Sequence, residues 1–158
     1  MAKGSDKELR AHLLDLLRGG HAHVRFDRAV GRVPARLINR KVGGYSLFEL
    51  LEHMRIAQWD ILEFSRDKDH VSPPFPAGYW PKKKGSAQAW RRSIQSFRKD
   101  LRAMAARVSD PRRDLFAPFP HGNGQTLLRE AVVLAAHNAY HLGQIVHTRR
   151  LLGAWPKD

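Results

Sequence analysis

The stretch AAHNAYHLGQIVH, Ala135 to His147, sets two imidazoles four residues apart inside what reads as a helix. In a helix, residues i and i+4 lie one turn above each other and face nearly the same way. His137 and His141 therefore aim at one point, and Gln144 continues that line. A helix that places these rings on a stripe meant for burial must meet other helices there. The stretch thus reads as one wall of a bundle, and the rings as either satisfied core histidines or metal ligands.

The rest of the chain supports the bundle. Its 158 residues suit a single domain spanning 1–158, and the 42% hydrophobic share is ordinary for a soluble globular protein. No run approaches the ~18 apolar residues of a membrane span. The opening MAKGSDKELR is charged, with no apolar run behind it, which argues against a secretory signal. There is no cysteine, so disulfides, thiolate ligands and a cysteine nucleophile are excluded, and a cytoplasmic location is expected.

Four helical segments follow from the apolar periodicity. The first covers residues 6 to 29, with Leu9, Leu13, Leu16, Leu17 and Val24 on one side; Gly19-Gly20 predicts a bend, an end or a close approach by a neighbour. The second opens on Ser46-Leu47-Phe48-Glu49, a capping box, and runs through Leu50, Leu51, Met54, Ala57, Ile61 and Phe64 with His53 on the stripe's border. The third starts near Ser86, carries Trp90, Ile94, Phe97, Leu101, Met104 and Val108, and stops at Asp110-Pro111. The fourth runs from Thr126 to Leu152, with Gly153 as its left-handed cap. Between the second and third lies RDKDHVSPPFPAGYWPKKKG, residues 66–85, too rich in proline to be helical. Phe75, Tyr79 and Trp80 give this loop the means to pack over the core. A small hairpin is expected around Gly122-Asn123-Gly124. The fold class is an all-α four-helix bundle.

Spacing alone leaves the paired histidines open between metal and core. The pair also departs from the zincin motif, where a glutamate general base follows the first histidine; here that position is Asn138. A third ligand would decide matters, because catalytic sites commonly combine three protein ligands with an open position. His53 is the leading candidate, with His21 and His23 behind it. His12, His70, His121 and His147 read as surface or loop residues.

The blocks LLEHMRIAQWDILEF (50–64) and HNAYHLGQI (137–145) resemble the DinB/YfiT-like family of metalloenzymes, and the resemblance extends over nearly the whole chain. It implies a four-helix bundle, often dimeric, with a divalent ion on His53, His137 and His141. Imidazole ligands suit zinc, nickel, copper, manganese or iron. Each ring should pass its second N–H to a carboxylate, carbonyl or water, and Glu49 and Glu130 are the nearby carboxylates; capping and surface charge are their plainer roles. Relatives in the wider family include thiol-dependent S-transferases and isomerases. The expected activity is therefore hydrolysis, or transfer involving an external low-molecular-weight thiol.

Charge raises a different reading. Lys and Arg number 28 against 15 Asp and Glu, a net +13. The basic residues are scattered pairs, Arg91-Arg92, Arg98-Lys99, Arg112-Arg113 and Arg149-Arg150, plus the block PKKKG, without a nucleic-acid motif. A solvated basic surface that recruits an anionic small-molecule substrate fits this pattern. The alternative is a nucleic-acid-associated bundle or scaffold whose metal site is structural or vestigial; salt-sensitive binding in an electrophoretic titration would distinguish it.

Overall fold

Gly19 and Gly20 end the first helix outright. In the computed structural model, which describes residues 3–20 and 22–156, their φ angles of 101° and 53° lie in the left-handed region that glycine adopts at little cost. The helix expected over residues 6–29 is therefore two: α1 (Lys3–Leu17) and a short α2 (Phe26–Val30). Val24 packs against the core from the intervening turn. His21 lies outside the described residues.

The other long helices are α3 (Leu47–Phe64), α4 (Ala87–Ser109) and α5 (Leu127–Leu151). α3 packs against α4 and α5, and α1 packs against the same two helices. The result is an all-α bundle. No strand forms among the described residues: the expected hairpin is reduced to one antiparallel bridge between Pro118 and Thr126, with Phe119 N donating to Gln125 O at 2.8 Å. Among the described residues, no helix is long and apolar enough to cross a membrane.

Local chemistry fixes the helix ends. Ser46 and Glu49 close a reciprocal capping box, satisfying two orphan N–H groups at the start of α3. Ser86 and Thr126 cap α4 and α5. Gly153, at φ 64°, lets Gly153 N and Ala154 N turn back onto Arg150 O and Arg149 O, a Schellman close to α5.

Two apolar clusters fill the bundle. One gathers Leu13, Leu17, Leu62, Met104 and Leu134; the other gathers Phe26, Leu47, Leu51, Met54, Phe97 and Ile145. Phe26 and Phe97 stack at 4.0 Å in the second cluster. A short amide chain ties three helices together beside it. Asn138 Nδ2 donates to Gln58 Oε1 at 3.0 Å, and Gln58 Nε2 donates to Phe97 O at 2.6 Å.

Two arginines depart from the solvated surface read from sequence. Arg149 is fully buried and donates to Arg28 O, Ala29 O and Ala154 O. Arg10 donates to Val108 O, Asp110 O and Arg113 O. Each guanidinium reaches at least one carbonyl near the end of a helix distant in sequence, Arg149 at Ala29 O of α2 and Arg10 at Val108 O of α4.

Candidate metal centre

His53, midway along α3, faces His137 and His141 on α5. His53 Nε2 lies 3.1 Å from the Nε2 of each. Among the described residues, this is the only group of three or more His, Asp or Glu side chains whose ligand atoms come this close together.

The hydrogen bonds around the rings decide what those contacts are. His53 Nδ1 lies 3.0 Å from Tyr79 O. A carbonyl only accepts, so Nδ1 carries the proton and Nε2 presents a bare lone pair. His141 Nδ1–H donates to Gln144 Oε1 at 2.6 Å, which leaves its Nε2 bare as well. Two lone pairs facing each other at 3.1 Å form no hydrogen bond. His137 Nδ1 is buried with no partner.

Protonation does not rescue the arrangement. Burial pushes the His137 imidazole down to about 4, with His141 and His53 adding to the effect. Burial also lowers His53, against the Tyr79 hydrogen bond, and His141, against the Gln144 hydrogen bond. The rings are neutral near pH 7, the state a metal requires of imidazole. Bonds of ~2.0–2.1 Å to one ion place neighbouring ligand nitrogens ~2.8–3.4 Å apart for angles between octahedral and tetrahedral values. The donor set and its spacing fit a divalent transition metal.

The walls of the site come from the 66–85 loop and from α5. Trp80 stacks flat on His53, with ring centroids 4.1 Å apart, and Tyr45 stacks on the far face of Trp80 at 4.3 Å. Tyr140 sets its ring edge-on to His141 at 4.9 Å. Tyr45, Tyr140 and Gln144 then line a cleft of about 370 Å³ with Val42, Leu50 and His147.

Of the neighbouring residues read from sequence, Gln144 joins the site directly. Glu49 does not: its carboxylate accepts from Ser46 N and pairs with Lys41 Nζ at 2.8 Å, so capping is its role. Glu130 is buried rather than on the surface, and it pairs with Arg129 far from the rings. His23 is exposed beside Val24 O, away from the cluster. His12, His121 and His147 are exposed, as expected of surface residues. His70 is packed instead, with Nε2 2.7 Å from Asp60 Oδ1. Sequence reading missed the Tyr79 carbonyl, because a main-chain acceptor leaves no trace in residue type. Trp80 had a signal, the aromatic density of its loop, but no indication of its target.

Fold and site together define a helical-bundle protein with a three-histidine cluster suited to a metal ion. A family model described as the DinB superfamily matches residues 21–145, well over half of the chain, and the chain belongs to that superfamily. No curated protein and no solved structure matches it.

Proposed function

We propose that the chain is a metal-dependent enzyme. In this reading His53, His137 and His141 hold one divalent transition-metal ion, such as zinc, nickel, manganese or iron, and the substrate is a small anionic molecule. The reaction is hydrolysis or a transfer that uses an external low-molecular-weight thiol. The observation that carries the reading is the meeting of the bare Nε2 lone pairs of His53 and His141 at 3.1 Å, with His137 Nε2 equally close to His53 and His53 held in its ligating tautomer by Tyr79 O.

A metal held by three neutral imidazoles keeps its full +2 charge and, when bound, supplies Lewis-acid activation of water or a thiol near neutral pH. The chain's own residues do the rest. Trp80 covers one face of His53 and keeps water from it. Gln144 holds the His141 ring plane while lining the adjoining cleft. Tyr45 and Tyr140 offer aromatic walls, and among the described residues no carboxylate lines the cleft, which suits an anionic substrate drawn in by the +13 chain. With no cysteine in the chain, any thiol must arrive as a co-substrate.

The first experiment is elemental mass spectrometry of untagged protein beside His137→Ala. About one equivalent of a transition metal in the wild type, lost in the variant, is expected. Absence of metal after reconstitution with zinc, nickel, manganese and iron would overturn the proposal.

A further inference from the structure

Asp60 touches none of the three histidines, yet it governs the loop that does. It lies on α3 two turns beyond His53 and is buried. Its Oδ2 accepts from Tyr79 Oη at 2.6 Å, and its Oδ1 faces His70 Nε2 at 2.7 Å. One carboxylate thus grips the 66–85 loop at two points. A third grip lies at the far end, where Asn39 Nδ2 donates to Gly85 O and Gly85 N donates back to Asn39 Oδ1, at 2.7 and 2.8 Å.

Between these grips the loop delivers the Tyr79 carbonyl to His53 Nδ1 and lays Trp80 on the His53 ring. Both contacts come from residues at or next to the Asp60-bound tyrosine. Burial, aided by the hydrogen bond to Asp60 and its charge, pushes the Tyr79 phenol up to about 12, so it remains a donor throughout the working pH range. A hydrogen bond to an ionised acceptor is stronger than a neutral one, which makes this grip the firm one.

We infer that Asp60 is a positioning residue for the metal centre, acting through Tyr79 and its loop to fix the tautomer and plane of His53. Released from the carbonyl, the ring is free to carry its proton on Nε2, the form that cannot ligate there. The inference rests on the three-histidine reading only for its consequence in metal affinity. The control of the tautomer stands apart from it.

The test uses the full chain as wild type, Asp60→Asn and Tyr79→Phe. Tyr79→Phe removes the hydroxyl alone and keeps both the carbonyl and the ring, so it carries the test even if Asp60→Asn fails to fold. Zinc affinity is read by competition with a chromophoric chelator. The His53 tautomer is read in metal-free protein by long-range proton–nitrogen NMR. We expect zinc to bind roughly 10- to 100-fold more weakly in the variants, and the His53 signal to leave the pure Nδ1–H form. Wild-type zinc affinity together with an unmoved His53 signal, in a variant with wild-type circular dichroism, would overturn the inference. If the wild type itself binds no zinc, the three-histidine reading fails and the NMR arm decides alone: a moved signal upholds positioning by Asp60, and an unmoved one refutes it.

Discussion

Arg149 and His141 stand about two turns apart on α5, and both carry nitrogen into the interior, with opposite outcomes. The Arg149 guanidinium is fully buried and finds carbonyls at Arg28, Ala29 and Ala154. His141 finds one acceptor, Gln144, and then faces the bare Nε2 of His53. Arg10 repeats the first pattern at the other end of the bundle, capping the end of α4. The fold thus gives Arg149 and Arg10 acceptors among the carbonyls that helix ends leave. Among the described residues its buried side-chain atoms without a hydrogen-bond partner are Arg107 Nε, Asn138 Oδ1 and His137 Nδ1, the last on one of three converging imidazoles. The difference separates a polar group that holds the fold from a cluster whose donor set suits an ion.

The largest effect should come from the satisfied side. Arg149→Met keeps the length and apolar stem but takes the donor from the buried Ala29 carbonyl and from the part-buried carbonyls of Arg28 and Ala154, a buried one costing about 1–3 kcal/mol when left without a donor. A loss of roughly 3 kcal/mol or more is expected in urea unfolding. His137→Leu removes a ring whose Nδ1 has no hydrogen-bond partner among the described residues and whose Nε2 lies 3.1 Å from His53 Nε2. Its metal-free stability should equal or exceed that of the wild type, as when a poorly paired buried polar group gives way to an apolar one. If His137→Leu proved as damaging as Arg149→Met, the triad would be a structural polar core and the contrast would collapse.

A smaller effect follows from pH. The folded-state pKa values of His53, His137 and His141 lie below the ordinary histidine value of 6.5, His137 at about 4. As pH falls below 6.5 the unfolded chain takes up protons that the folded triad refuses, so stability must fall with pH. The decline for His137 continues toward pH 4. Arg149 remains charged across that window in both states and contributes no slope. Urea midpoints of metal-free wild type and His137→Leu between pH 6.5 and 5 isolate the term, because the carboxylates are common to both. A steeper acid loss in the wild type is expected; parallel curves would mean that the rings titrate freely.

The two sides of the comparison were unequally legible in sequence. The histidine pair was visible because helical periodicity converts a spacing of four into a shared direction, and the stripe around His53 marked the partner helix. The capping residues Ser46, Ser86 and Thr126 were readable for a similar reason, since they act within three residues. Arg149 was not. Its carbonyl partners at Arg28 and Ala29 are some 120 positions away, and nothing in HTRRLL separates a buried arginine from its exposed neighbour Arg150. The break after Leu17 sat between these cases: Gly19-Gly20 flagged an interruption, but only the left-handed φ angles settle that the helix ends. Asp60 and the Tyr79 carbonyl were invisible because a loop path, unlike a helix, has no period.

The smallest expected effect lies between the two sites, at Gly143. It is exposed in mid-helix on α5, and a Cβ there would meet nothing within 4 Å. Glycine in a helix interior costs about 0.8–1.0 kcal/mol relative to alanine. Gly143→Ala should therefore stabilise the chain by about 0.5–1 kcal/mol in urea unfolding, with zinc affinity unchanged. The chain's own packing makes no use of the missing side chain, but Gly143 is shared by the triad's cleft and by a second hollow lined by Val24, Leu142, Val146 and Arg150. Sedimentation velocity then sharpens the result. A stabilised variant with unchanged association leaves the bare backbone to a small ligand in the cleft. A stabilised variant that loses a wild-type dimer assigns that face, with exposed Val132, Tyr140 and Leu151, to a second copy of the chain. A variant that is destabilised would show that the helix is constrained at this turn, and that α5 supports its site as tightly as it buries Arg149.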